Sequence, residues 1–162
     1  MAKTGPTLTL TERMASIRKV DTRPEMRVRK IVHAQGYRYR LHRRDLPGTP
    51  DLVFQRLRKI IFVHGCFWHR HSCRQGRKLP SGRHDYWIPK FERNVQRDET
   101  NSEKLRALGW EILVLWECQL GDTRSVQSAI LEFLEKDPIG NRRHSRRDET
   151  LSVPSKISRV RP

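Results

Sequence analysis

All three cysteines of the chain fall into one pattern with a histidine. Cys66 and Cys73 flank His71 in the spacing C-x4-H-x-C, and Cys118 stands just past an apolar run that ends at Trp116. Three thiolates and one imidazole fill the tetrahedral shell of a zinc ion. Such an ion would staple a long loop, too poor in aliphatic residues to hold itself by burial, to the end of a strand. The spacing is not one of the common finger patterns. The plainer alternative is three unrelated cysteines, one of them packed at a strand end as a small hydrophobe. His64 and His69 are surplus to a closed four-ligand site.

A second kind of chemistry centres on Asp51. Pro50-Asp51 opens one apolar run and His64 closes the next, so a hairpin would bring an acid and an imidazole to one region. A carboxylate in that place suits a hard cation such as Mg2+, which takes carboxylate and carbonyl oxygen and keeps water in its other positions. Such a cation polarises a scissile phosphate, helps to activate water and stabilises the leaving oxygen. In one large nuclease superfamily, an Asp at a strand start is followed on the next strand by an acidic-x-Lys run. Here the second strand reads Phe62-Val63-His64, with Phe62 in the acid position and His64 in the Lys position. On its own, Asp51 could equally cap a turn.

These groups need elements to position them. Asp21-Thr22-Arg23-Pro24 reads as a helix start, a capping residue followed by Pro in the first turn. Glu25, Val28, Ile31 and Val32 recur at helical spacing and Gly36 ends the run, so Glu25 shares the inward face. A short strand is expected over Tyr37 to Leu41, then a polar loop from Arg43 to Thr49. Asp51 to Phe54 and Lys59 to Val63 read as the two arms of a hairpin. A loop rich in His, Cys and aromatics runs from His64 to Tyr86. Ile88 to Leu108 reads as a long charged helix closed by Gly109, Trp110 to Trp116 as the most apolar strand, and Thr123 to Glu135 as a last helix. The order αβββαβα implies an α/β fold, a mixed sheet with helices on its faces.

The chain has 162 residues, 34 Lys and Arg against 18 Asp and Glu, and a formal net charge of +16. That length suits one domain, and that charge favours a polyanionic partner, most commonly nucleic acid. Of the basic residues 25 are Arg and 9 are Lys. Arg grips phosphate through paired hydrogen bonds, although codon usage alone could produce the ratio. Residues 1–20 read as a flexible arm and 21–138 as the folded domain. Residues 139–162 read as a basic, disordered tail: from Asn141 to Pro162 there are seven Lys or Arg, two acids and no aromatics. This tail would lie along DNA phosphates or serve solubility alone. No apolar stretch reaches the length of a membrane span, and the first residues lack a secretory signal. The expected compartment is the cytoplasm, with thiols reduced.

The run Phe62-Val63-His64-Gly65-Cys66-Phe67-Trp68-His69-Arg70-His71-Ser72-Cys73 resembles the very-short-patch (Vsr) repair endonucleases, bacterial enzymes that nick DNA at T:G mismatches left by deamination of 5-methylcytosine. The resemblance extends from about residue 12 to 120. Met14, Asp21-Thr22 and Glu25 match in order, as does Leu46-Pro47-Gly48-Thr49-Pro50-Asp51. Asn94-Val95-Gln96-Arg97-Asp98, Leu108-Gly109-Trp110 and Trp116-Glu117-Cys118 continue it.

The resemblance implies a restriction-endonuclease-like fold and two metals. Asp51 and the backbone carbonyl of Val63 would hold catalytic Mg2+; a family member carries Thr at the latter position, and Val63 retains the carbonyl. His69 would act on the attacking water, with Asp98 orienting its ring. Glu25 and His64 would complete the catalytic set, Glu25 through water. Cys66, His71, Cys73 and Cys118 would hold structural Zn2+. Phe67, Trp68 and Trp87 would wedge into the base stack beside the mismatch, which costs less where pairing is already weak. Core packing is the other reading of each aromatic, and it is preferred for Trp110 and Trp116. The implied partners are double-stranded DNA containing a T:G mismatch and mismatch-repair proteins, with a monomer acting at the nucleoid. Two other readings use the same residues: a zinc-stapled DNA-binding module without catalysis, and a restriction-type nuclease that needs no mismatch.

Overall fold

The computed structural model describes residues 20–136, with Thr9 and Arg18. The expected tail lies outside the described residues, as does the arm except for Thr9, Arg18 and Val20. Helix α1 (Arg23–Ala34) begins with reciprocal capping: the Thr22 hydroxyl accepts from the Glu25 N–H, and the Glu25 carboxylate accepts from the Thr22 N–H. Strands β1 (Arg40–Leu41) and β2 (Leu52–Phe54) follow, then a 3-10 turn (Gln55–Leu57) and β3 (Lys59–His64). Helix α2 (His84–Ala107) crosses over to β4 (Glu111–Trp116). A second 3-10 turn (Glu117–Gly121) leads to α3 (Thr123–Glu135).

The sheet order is β1-β2-β3-β4. The first two pairings are antiparallel and β3–β4 is parallel, in register from Lys59↔Glu111 to His64↔Trp116. Both faces of the central strands are buried, as expected where helices cover both sides. Leu52, Phe54, Ile61 and Leu115 pack against Val28 and Val32 of α1 and Val126, Ile130 and Leu134 of α3. Val53, Ile60 and Phe62 pack with Leu105 of α2 and Trp110. The alternation along β3 follows the two-residue period of a strand. Lys59, fully buried, ties the sheet to α3: its Nζ donates to the carbonyls of Leu134, at 3.4 Å, and Lys136, satisfying acceptors at a helix end that favours cations.

Two boundaries differ from the sequence reading by more than one residue. The strand expected over Tyr37 to Leu41 pairs only at Arg40 and Leu41, because β2 offers it just Val53 and Leu52. Tyr37 and Tyr39 instead pack edge-on to Phe54, at 6.4 and 6.1 Å. Helix α2 starts at His84 rather than Ile88, with Pro89 inside it. Pro89 forfeits one backbone bond near the helix start. The early turns are held by burial of Trp87 and Phe91, whose rings stack at 5.6 Å.

Candidate active site and metal centre

The loop leaving β3 turns back at once. Trp68 and His69 donate their N–H groups to the Gly65 carbonyl, at 3.1 and 3.3 Å. This places Cys66, His71 and Cys73 beside Cys118 in the turn after β4, with one ligand atom of each within 4.8 Å of the others. Backbone N–H groups point at two sulfurs, Cys118 to Cys66 and Gly76 to Cys73, each at 3.4 Å. Burial pushes the Cys66 thiol up to about 12, whereas hydrogen bonding, above all with His71, draws Cys73 down to about 6. A cation would favour the thiolate of both. Gly76 is required here: a Cβ would lie 2.0 Å from the His71 carbonyl oxygen. The composition of the loop gave no sign of that close approach.

His64, at the end of β3, stacks on His69 with ring centres 4.0 Å apart and planes 9° from parallel. The His69 Nδ1 hydrogen-bonds the Asp98 carboxylate of α2. That contact fixes the ring and leaves Nε2 for other chemistry. Burial, then the neighbouring His69, lowers His64 to about 4, so it is neutral near pH 7. The pair opens onto a groove of about 490 Å³ that continues past Glu99, Glu103 and Arg106 of α2. Trp116 lies between the two centres, stacked on His71 at 4.4 Å and edge-on to His64 at 5.3 Å. It therefore walls the site, whereas Trp110 is core, as expected, with the Arg58 guanidinium 4.4 Å over its ring.

Asp51, just before β2, accepts a hydrogen bond from the Val63 N–H at 2.7 Å. Burial raises its carboxyl to about 6, and the charge of Glu25 adds to the rise, against the pull of the Val63 N–H, His42 and Arg29. Glu25 is 1% exposed. It is paired with Arg29 one turn along α1, and the His42 Nε2 lies 3.0 Å from its Oε1. Arg29 and His42 were not anticipated. The four-residue spacing of Glu25 and Arg29 was a readable helical pair; His42 carried no signal.

The aromatics form one cluster. Phe67 lies 4.9 Å from Trp68, 5.8 Å from Trp87 and 5.1 Å from Phe91. Phe67 and Trp68 are half-buried, and Asn94 donates to the Trp68 carbonyl at 3.2 Å. Trp87 is only 6% exposed and forms the floor beneath them. Cations border the cluster, with Arg70 4.8 Å over Phe91 and Lys90 5.5 Å over Tyr86.

Residues 8–75 match the family model described as DNA mismatch endonuclease Vsr. The chain is 49% identical to the type II nicking enzyme V.XorIIP of Xanthomonas oryzae over 122 residues, which span 75% of this chain and 89% of the relative. It is 38% identical to the DNA mismatch endonuclease Vsr of Escherichia coli over 137 residues, 84% of this chain and 87% of the relative. A third relative, the type II nicking enzyme V.NmeAIP of Neisseria meningitidis, is 39% identical over 107 residues, 66% of this chain and 76% of that one. Among the described residues, no helix is long and apolar enough to cross a membrane.

Proposed function

The chain belongs to the Vsr family of DNA mismatch endonucleases, and on that premise we propose that this DNA endonuclease nicks one strand at T:G mispairs left by deamination of 5-methylcytosine. The observation that carries the reading is the convergence at the end of β3. Asp51 is bonded to Val63, and the next residue, His64, is stacked on the Asp98-held His69. We assign the mixed sheet to the restriction-endonuclease-like fold, with the hairpin of β2 and β3 as its catalytic corner.

Asp51 fits a divalent cation. Its half-buried carboxyl is raised to about 6 and feels a second carboxylate, Glu25, the situation a cation relieves. The N–H and C=O of one residue leave an extended strand by the same edge, so the Val63 carbonyl shares the Asp51 side. Asp51 and Val63 would hold Mg2+, which when bound polarises the scissile phosphate and lowers the cost of forming hydroxide. His69 takes the proton of the attacking water at Nε2 while Asp98 steadies the resulting imidazolium. His64, neutral, orients the water or the phosphate, and Glu25 orders water behind Asp51. Cys66, His71, Cys73 and Cys118 would hold Zn2+ in a closed structural site.

Phe67 and Trp68 enter the base stack beside the mispair, and the buried Trp87 supports them from below. The basic residues around them grip phosphates. All of these groups come from one chain, which supports a monomer acting alone. Nicking of T:G duplexes in varied sequence contexts, beside T:A controls, tests the proposal. Equal nicking of both duplexes would favour a restriction-type nuclease. Binding without nicking, with zinc retained and Mg2+ supplied, would favour a module without catalysis.

A further inference from the structure

Arg29 occupies a costly position. It is 9% exposed, and its Nε has no hydrogen-bond partner among the described residues. Its other nitrogens reach Asp21, at 2.7 Å, and the Glu25 carboxylate. A buried guanidinium with an unpaired N–H is retained against a desolvation penalty. Asp21 and His42, which reach its guanidinium from outside α1, both have positive φ, 53° and 45°. Asp and His enter that region more readily than most side chains, and both side chains contact the guanidinium.

The cluster also has an internal conflict. The His42 Nε2 lies 2.8 Å from an Arg29 Nη2 and 3.0 Å from the Glu25 Oε1. One ring nitrogen cannot accept from the guanidinium and donate to the carboxylate at once. Two arrangements therefore compete, His42 bonded to Glu25 or His42 bonded to Arg29.

We propose that Arg29 is a positioning residue that stands in for the catalytic cation: it neutralises Glu25 in the metal-free protein and releases it when a divalent cation settles beside Asp51. Asp21 and His42 then receive the freed guanidinium. The inference rests on reading Asp51 as a metal ligand. On this account Arg29 keeps Glu25 in place and weakens cation binding, because Glu25 must be taken from it.

Mn2+ binding to the zinc-loaded protein, followed by the electron spin resonance of free Mn2+, tests this apart from turnover. Arg29→Gln should bind Mn2+ ~10-fold more tightly, equivalent to ~1.4 kcal/mol, while nicking at saturating Mn2+ becomes slower. Arg29→Lys should return the affinity to within ~3-fold of wild type, the scale of a modest ion pair. Asp21→Asn leaves Arg29 wholly to Glu25 and should weaken Mn2+ binding by ~3-fold. Asp45→Asn, which removes an exposed carboxylate paired with Arg43, should change nothing. Unchanged or weaker binding in a folded, zinc-replete Arg29→Gln protein overturns the proposal. If that variant does not fold, equal affinities in Asp21→Asn and Asp45→Asn overturn it. Asp51→Asn should lose Mn2+ altogether; wild-type affinity there would remove the metal reading itself.

Discussion

Replacing Asp51 by Asn should stabilise the Mg2+-free protein at neutral pH while ending its activity. The ordinary carboxyl value of 3.8 applies to the unfolded chain, and the folded value is about 6, raised chiefly by burial. Below 3.8 both states hold the proton, and Asp51 adds no pH dependence. Between 3.8 and about 6 the unfolded chain has released a proton that the folded one keeps, so stability falls as pH rises. Above about 6 both states are ionised and the deficit is constant, at most about 3 kcal/mol from 1.36 kcal/mol per pH unit. Asn cannot ionise, so it escapes this loss, and its carbonyl still accepts from the Val63 N–H. The stronger bond of the carboxylate to the Val63 N–H is already contained in the folded value of about 6, so the net gain above pH 6 approaches the same deficit, ~2–3 kcal/mol. Urea denaturation from pH 4 to 8, with zinc retained and no other divalent ion, measures the difference between the two proteins. It should be near zero at pH 4, grow to pH 6 and then level off. An Asn variant that is less stable at pH 8, or a difference independent of pH, would refute the argument that Asp51 is held at a cost the cation removes.

Cys118→Ser should release the metal and unfold the loop, because Cys118 alone joins the turn after β4 to the other three ligands; metal content and circular dichroism check this. Gly76→Ala should destabilise the same loop by ~3 kcal/mol or more, since its Cβ has no room beside the His71 carbonyl, as thermal melting would show. Asp98→Asn should lower nicking by ~100-fold or more, on the scale of lost acid–base catalysis, with duplex affinity unchanged in a gel-shift titration. Trp68→Ala should reduce nicking of a T:G duplex by at least ~10-fold, about 1.4 kcal/mol, in single-turnover assays, while binding to matched DNA keeps its steep dependence on salt.

Local chemistry made much of this molecule readable. Thr22, Pro24 and Glu25 specify the start of α1, and the apolar runs of β3 and β4 indicated strands, of which β3 is mostly buried and β4, at the edge of the sheet, is mostly half-buried. The pattern of Cys66, His71, Cys73 and Cys118 indicated convergence that the fold then provides. What escaped depends on neighbours distant in sequence. The helix read from Ile88 begins at His84, because the packing of Trp87 and Phe91 on Phe67 holds four more residues in α2. Gly76 is demanded by a carbonyl five residues away across a turn, and no periodicity records such a contact. His42 meets Glu25 across 17 positions of sequence, with its backbone at φ 45°, and no local pattern records such a contact.

The parallel pairing of β3 with β4 has a kinetic consequence. It joins Lys59 to Glu111 and so closes a loop of about 50 residues, an entropic toll met before any contact rewards it. Cys66 and Cys118 sit just beyond the far end of the same ladder. An ion gathered first by Cys66, His71 and Cys73 would need only local chain motion, and capture of Cys118 would then close the long loop from the end opposite Lys59. A metal held by these four residues would thus act as a clasp during assembly, turning a slow search for strand register into the docking of one thiolate.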